Sequence, residues 1–366
     1  MTESDIEAVA AALRSDWLTT GPAVDAFEQA LQLVTHSAGA VVMSSGTAAL
    51  HAAYAVAGVG PDRDLVTSPL TFASTAYTAL QLGARVHFID VDDVYLTLDP
   101  RLVKEGLPSQ ASVVTTIDYA GHPSDIPSLR EAVGESTTIV QDAAHSLGGV
   151  REGSPVGSEA DLSIFSFHPV KSITTAEGGA VTFRDSKLKQ SLSEFRNHGI
   201  VRDPHRLRRP TEGPWHQEMQ SFGFNYRLPD VLAALGLSQL QRLTEFIRRR
   251  NELADRYIEA LGELSGVILP QVRPGSTSAW HLFPIRILHG RRREVFEGLQ
   301  AGGIQPQVHY FPVHLHPLFE DLGYKRGMCP VAERAYEDLL SIPLYPTLTE
   351  SDQERVIEQL LSLLNE

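Results

Sequence analysis

The stretch Thr138-Ile139-Val140-Gln141-Asp142-Ala143-Ala144-His145-Ser146 decides how this chain is read. Its first half is β-branched and largely apolar, with only the Thr138 hydroxyl before Gln141. Such a run suits a parallel strand buried on both faces. Its second half puts a carboxylate directly after the strand, then two small residues and a histidine. Ligands in open α/β sheets collect at the carboxyl ends of strands. Asp142 therefore stands where a strand-end functional group is expected. Taken alone, it serves equally well as a cap for the following turn.

Outward from this strand the same grammar repeats. Ala40–Met43, Asp64–Thr67, Arg85–Ile89, Ser112–Ile117, Leu162–Phe165 and Ala180–Phe183 read as further strands. Thr47–Ala57, Thr75–Leu82, Pro100–Glu105 and Ser124–Val133 read as helices between them. Alternating strands and helices imply an α/β fold with a mainly parallel sheet covered on both faces. A long helical pattern spans about Val231–Leu261. Beyond it, Trp280–Ile287 and Val308–Tyr310 read as strands, and Arg291–Ala301, Val331–Leu340 and Glu350–Leu364 as helices. The expected organisation is a large α/β domain over residues 1–240 and a smaller C-terminal α+β domain over 241–366.

Composition narrows the function. The 366 residues carry a net charge of −14. That balance disfavours nucleic acid, whose phosphates need clustered Lys and Arg. One cysteine, Cys329, leaves no internal disulfide and no cysteine-held metal. No apolar run is long enough to cross a bilayer, and the acidic start, Met1 to Asp5, is unlike a signal peptide. A cytoplasmic protein is expected.

Lysine is scarce: Lys104, Lys171, Lys187, Lys189 and Lys325 are all there are. Lys171 sits in Ser166-Phe167-His168-Pro169-Val170-Lys171-Ser172-Ile173-Thr174-Thr175, among apolar and hydroxyl groups. Desolvation there favours the neutral amine, and a neutral amine can form a Schiff base with a carbonyl. The reading that follows is a lysine that holds pyridoxal phosphate. The 29 residues from Asp142 to Lys171 leave room for two strands and their connections, so both side chains can reach one sheet edge.

Other segments fit the same site. Ser44-Ser45-Gly46-Thr47 joins a strand end to a helix start, where backbone N–H groups and the helix dipole favour a phosphate. An ordinary N-cap explains these residues too. Asp142 can pair with the pyridine nitrogen and keep the ring an electron sink. Ala144 is small enough for a flat ring to lie on, and His145 can brace Asp142 or a cofactor oxygen. Ser166 can add a phosphate contact, and Phe72, after the strand Asp64–Thr67, can stack on the ring or sit in the core. His309, His314 and His316 invite a zinc reading, but Pro312 and Pro317 break any helix that would align them. A polar substrate wall or satisfied surface histidines are expected instead.

With these residues placed, the chain resembles the DegT-type sugar aminotransferases, enzymes of the fold-type-I, aspartate-aminotransferase-like class. The matching stretches are Leu18–Pro22, Ser45–Leu50, Asp142–Ser146, Ser166 through Lys171 to Gly179, Asn225-Tyr226-Arg227 with Ala233–Gly236, and His309–His314. Pro214–Met219 is most similar to the C4 aminotransferases of the pseudaminic-acid pathway, although His216 stands where tyrosine is common. Tyr77 likewise stands where asparagine is frequent.

The resemblance implies the following roles. Lys171 holds the cofactor and shuttles protons, and its presence excludes the dehydratase branch, which has histidine there. Asp142 pairs with the ring nitrogen, and Phe72 and Ala144 flank the ring. Gly46, Thr47 and Ser166 hold the phosphate. Asn225 reaches the cofactor phosphate of a neighbouring subunit, so a homodimer with shared sites is implied. Arg227, His309, Tyr310 and His314 are expected to face substrate. The implied reaction is ping-pong transfer from glutamate to the 4-keto group of a nucleotide-linked, UDP-type deoxysugar. A dTDP-sugar, a keto-cyclitol or another keto metabolite are alternative acceptors. A non-catalytic regulator that binds the cofactor is a reading of another class.

Overall fold

A computed structural model describes residues 1–365. Glu366, the last residue of the expected second domain, lies outside the described residues.

A seven-stranded sheet forms the centre. Its strands are β1 (Gly39–Met43), β2 (Asp64–Thr67), β3 (Val86–Phe88), β4 (Ala111–Ile117), β5 (Thr138–Asp142), β6 (Leu162–Ser166) and β7 (Gly179–Phe183). The spatial order is β1-β7-β6-β5-β4-β2-β3. Only β7 runs against the rest, antiparallel to both β1 and β6. The other neighbours pair in parallel. All five residues of β1 and of β7 are buried, as strands covered on both faces must be.

This topology gathers one edge. The carboxyl ends of β1, β2, β4, β5 and β6 point the same way, and the reversed β7 begins there. Gly179 pairs with Met43 on one side and Ser166 on the other. A Cβ on Gly179 would lie 2.4 Å from the Ser45 carbonyl oxygen, so only glycine lets the two segments meet.

Helices cover both faces. Gly46–Val56 packs its alanines and Tyr54 against Val41, Val113 and Val181. On the opposite face Phe27 and Leu31, from the Pro22–Thr35 helix, meet Val42, Phe165 and Ala180. The Glu3–Arg14 helix is tied down by Asp5, which is fully buried. Its carboxylate accepts from Ser238 Oγ and Gln239 Nε2, both at 2.8 Å, and from Arg242 at 2.6 Å.

A separate core lies beyond the sheet. Leu253, Tyr257, Phe283, Ile285, Val295 and Leu360 belong to it, around the antiparallel strands Val267–Ile268, Phe283–Ile287 and Leu339–Ile342. The Leu243–Leu261 helix enters both cores: Leu243 and Ile247 pack with the sheet, Leu253 and Tyr257 with the distal strands. The segment Val313–Leu339 returns to the sheet, where Phe319, Cys329 and Ala332 join its core.

Four expected elements differ. The helical pattern at Val231–Leu261 is two helices, Asp230–Leu240 and Leu243–Leu261. The break falls at Gln241-Arg242, where Arg242 turns its guanidinium to Asp5; no glycine or proline marks it. The strand expected from Trp280 starts at Phe283, because residues 279–282 bond instead to Ala120 and Gly121. Val308–Tyr310 is irregular, with one bridge nearby between Gln307 and Ser341. The Val331–Leu340 pattern is a helix over Pro330–Asp338 that turns into a strand at Leu339.

Asp230 replaces a local cap for the Pro22–Thr35 helix. It accepts from the N–H groups of Gly21 at 3.0 Å and Val24 at 3.1 Å, across 209 residues of sequence. Asp230→Ala should destabilise the protein by about 2 kcal/mol, the upper range for a lost helix cap. Urea unfolding would measure the loss.

Candidate active site

A cleft of about 380 Å³ opens at the gathered edge. Gly46, Thr47, Phe72, Asp142, Ala144, His145, Ser166, Lys171, His309 and Tyr310 all line it. They come from four strand ends and one loop of the C-terminal half.

Asp142 ends β5 and is buried. Thr75 Oγ1 donates to its Oδ2 at 2.8 Å, and the Ala144 N–H to its Oδ1 at 3.3 Å. Thr75 is in turn bonded to Thr71 at 2.8 Å. Burial pushes the Asp142 carboxyl up from its ordinary value, while Thr75, Ala144 and the Lys171 charge pull the other way. The turn after Asp142 is fixed from below by Asp118, which accepts from Ser146 Oγ at 2.5 Å and Gln141 Nε2 at 2.9 Å.

Lys171 follows β6 in a compact turn, its N–H bonded to the His168 carbonyl at 2.9 Å. Burial lowers its ammonium from 10.5 to about 8, against the pull of Asp142. Its Nζ lies 3.4 Å from Nε2 of His281. Three imidazoles surround it, and all are pushed down by burial and then by the Lys171 charge: His145 and His281 well below the usual range, His309 to about 4. They are neutral near pH 7. Around the Lys171 amine therefore stand the Asp142 carboxyl and three uncharged imidazoles.

His145 does not brace Asp142. Its Nε2 lies 3.1 Å from the Tyr310 hydroxyl, and its ring rests 4.3 Å from that of His281. Phe72 is 60% exposed and turns its face to the cleft rather than to the core, 6.3 Å from Tyr310. His309 Nδ1 lies 2.9 Å from Ser341 Oγ.

Three expected residues lie elsewhere. His314 is fully buried and its Nε2 bonds Glu333 at 2.9 Å, so it ties the 313–333 segment together and walls no cleft. Arg227 donates to Asn197 Oδ1 at 2.5 Å and lines a different hollow, with Thr20 and Asp25. Asn225 is exposed on the 218–227 segment, outside the cleft of its own chain. Among the described residues no group of three or more His, Cys, Asp or Glu side chains could hold a metal ion. No helix of the described residues is long and apolar enough to cross a membrane.

Sequence reasoning missed Thr75 and His281. Thr75 carries a signal in hindsight: it is one helical turn past Thr71, facing the strand-end carboxylate. His281 carries none, because Trp280–Leu282 reads as the start of a strand.

The residues fit pyridoxal phosphate. A buried carboxylate whose two oxygens each accept one hydrogen bond keeps further lone pairs for a ring N–H. The Gly46–Val56 helix starts at the cleft, capped by Ser45 Oγ on the Ala48 N–H at 3.1 Å. A Cβ on Gly46 would lie 3.0 Å from the Cβ of Ser166, so its absence keeps a cradle open between helix start and hydroxyl. Phe72 offers a flat face, and Lys171 an amine beside it.

Fold and site together define a fold-type-I, pyridoxal-phosphate-dependent aminotransferase. The profile of the DegT/DnrJ/EryC1/StrS aminotransferase family matches residues 1–361, and the chain belongs to that family. It is 36% identical to a Campylobacter jejuni protein described as UDP-4-amino-4,6-dideoxy-N-acetyl-beta-L-altrosamine transaminase, covering 99% of this chain and 95% of that one. It is 34% identical to the Bacillus subtilis spore coat polysaccharide biosynthesis protein SpsC, over 97% and 93% of the two chains. Among solved structures, Helicobacter pylori PseC, an aminotransferase involved in the biosynthesis of pseudoaminic acid, superposes with a TM-score of 0.93 at 28% identity, over 100% and 97% of the chains. Spr1654 of Streptococcus pneumoniae in its PLP-form gives a TM-score of 0.92 at 27% identity, over 100% and 97%.

The depressed Lys171 amine has a direct consequence. Below its midpoint it is an ammonium and cannot act as a nucleophile. In the cofactor-free protein, acylation of Lys171 followed by peptide mass spectrometry should show a midpoint near pH 8. Free Nα-acetyl-lysine labelled alongside should show a midpoint about two units higher.

Proposed function

We propose that this chain moves an amino group from glutamate to the 4-keto group of a nucleotide-linked, UDP-type deoxysugar, in two half-reactions at one site. The observation that carries the reading is the pairing of a depressed, half-buried Lys171 amine with a buried Asp142 carboxylate in one cleft. The sugar acceptor is supported by the names of the Campylobacter and Helicobacter relatives.

When bound, pyridoxal phosphate supplies an aldehyde that takes up the amino group and a ring that accepts the electron pair left by a departing proton. Asp142 holds the ring nitrogen and keeps its proton there, oriented by Thr75 and the Ala144 N–H. Gly46, Thr47 and Ser166 hold the phosphate at the helix start. Phe72 and Ala144 keep the ring flat between them. Lys171 takes the proton from the α-carbon of the amino donor and returns it on the other side of the transfer. An amine with a midpoint near pH 8 suits a proton that must both leave and return. His309 and Tyr310 form the substrate wall of the same cleft.

Asn225 is the residue that ties the reading to a homodimer. It is exposed, and Trp215, Met219 and Phe222 on the same projecting segment are 80%, 71% and 89% exposed. This apolar arm suits burial against a second copy, which brings Asn225 to that copy's phosphate. The division into domains 1–240 and 241–366 and a cytoplasmic location complete the reading.

Glutamate added to the cofactor-loaded protein should convert the yellow form to the pyridoxamine form, and a panel of UDP- and dTDP-linked 4-keto sugars should return it. A protein that stays yellow with glutamate and every other amino donor sinks the reading. Lys171→Ala should retain cofactor non-covalently while the half-reaction slows by about a thousandfold or more. Asn225→Ala should weaken cofactor retention about tenfold in equilibrium dialysis, the effect of one hydrogen bond to a charged group.

A further inference from the structure

Lys171 has a neighbour that the roles above leave unused. His281 is buried, with Nε2 at 3.4 Å from the lysine Nζ. Its Nδ1 has no hydrogen-bond partner among the described residues. Three anchorages fix it. The Ala279 N–H donates to the Gly121 carbonyl at 3.0 Å, and the Leu282 N–H to the Ala120 carbonyl at 3.2 Å. From the other side, Arg250 Nη1 donates to the carbonyls of Trp280 at 2.8 Å and Leu344 at 3.1 Å. The zipper needs glycine at 121: φ there is +102°, and a Cβ would lie 2.6 Å from Trp280 N and 2.9 Å from His281 N. The imidazole itself rests on the His145 ring at 4.3 Å. A side chain held this way has its reach set by the fold, as a supporting group for a reactive amine must.

Charge decides which way the contact runs. The groups acting on His281 are Lys171, His145, Arg250 and His309, and each disfavours a proton on the ring, as does burial. Asp142 and Tyr310 line the cleft that Lys171, His145 and His309 share. A neutral imidazole has one donor and one acceptor nitrogen, whereas an ammonium only donates. Against the ammonium form of Lys171, Nε2 is then the acceptor and Nδ1 carries the hydrogen.

We propose that His281 is the positioning residue of Lys171: its Nε2 accepts a hydrogen bond from the amine and aims Nζ across the cleft, in the Nδ1–H tautomer. This rests on Lys171 as the proton-moving group and is independent of which sugar is aminated. An acceptor facing the amine favours its ammonium form, so it moderates what burial alone would do. It also fixes where the lone pair points once the proton is gone.

The test compares His281→Phe, which keeps bulk and loses the acceptor, with His281→Gln, which keeps an acceptor oxygen. In cofactor-free protein, the acylation midpoint of Lys171 should fall by about one pH unit in His281→Phe and stay near the parent's in His281→Gln. In loaded protein, kcat for the glutamate half-reaction should fall about tenfold or more in His281→Phe, with KM within about threefold, and recover in His281→Gln. A ring that merely fills space gives the opposite result: His281→Phe keeps both midpoint and kcat, and the proposal falls. Equal losses in the two variants, matched by equal losses in melting temperature, overturn it as well. Should neither variant fold, ¹⁵N spectra of the parent protein still decide, since the proposal requires an unprotonated Nε2 on the imidazole of His281 from pH 7 up to the Lys171 midpoint near pH 8. A protonated Nε2 across that range contradicts it. These labelling and tautomer readouts use no substrate, so they stand or fall separately from the sugar assignment.

Discussion

The structure turns on placing opposite charges in one poorly solvated cleft without letting them neutralise each other. Asp142 and Lys171 each lose solvation on burial, which pushes the carboxyl up and the ammonium down, while each charge pulls the other back. Neither is spent on the other. The hydrogen bonds of Asp142 come from Thr75 and Ala144, and the polar contact of Lys171 is with His281. A direct ion pair would leave no acceptor for a ring nitrogen and no free amine. The surrounding residues serve this separation: a threonine relay on one side, neutral imidazoles on the other.

The sheet makes that separation cheap in chain length. Parallel strands deliver Asp142 and Ser166 to one edge from neighbouring positions, and the reversed strand β7 closes the gap between β6 and β1. Because β7 starts where the others end, Gly179 can lie against Ser45 and seal the helix start beside Ser166. The second core then adds what the sheet lacks. His281 and His309 both come from the C-terminal half, and both are tied back to the sheet loops, through Ala120, Gly121 and the Tyr119 hydroxyl on the His309 carbonyl. The cleft is thus closed by hydrogen bonds that span the two halves of the chain.

Much of this was legible in the residues. All seven central strands stand within a residue of where the apolar runs place them, because strands buried on both faces are built mostly of apolar and β-branched residues. Lys171 and Asp142 were legible because a scarce amine and a strand-end carboxylate are chemically conspicuous. His314 and Arg227 were misplaced for a shared reason. Each lies in a stretch that also carries site residues, yet a neighbour in sequence can point the opposite way: His314 turns inward to Glu333, and Arg227 turns to Asn197. The helix break at Gln241-Arg242 was invisible because its apparent reason, Asp5, lies far back in the chain.

By itself the sequence determined the α/β class, the sheet's strands, the amine, the carboxylate and the glycine-led helix start. These are local properties: hydrophobic period, desolvation of a lone amine, and the backbone freedom of glycine. Only the tertiary structure decided who stands beside whom. That Thr75 holds Asp142, that His145 faces Tyr310 instead of Asp142, and that His281 meets Lys171 all depend on contacts across 67, 165 and 110 residues. Hydrogen bonds reach about 3 Å, and nothing in a local pattern encodes which distant side chain will arrive within that reach.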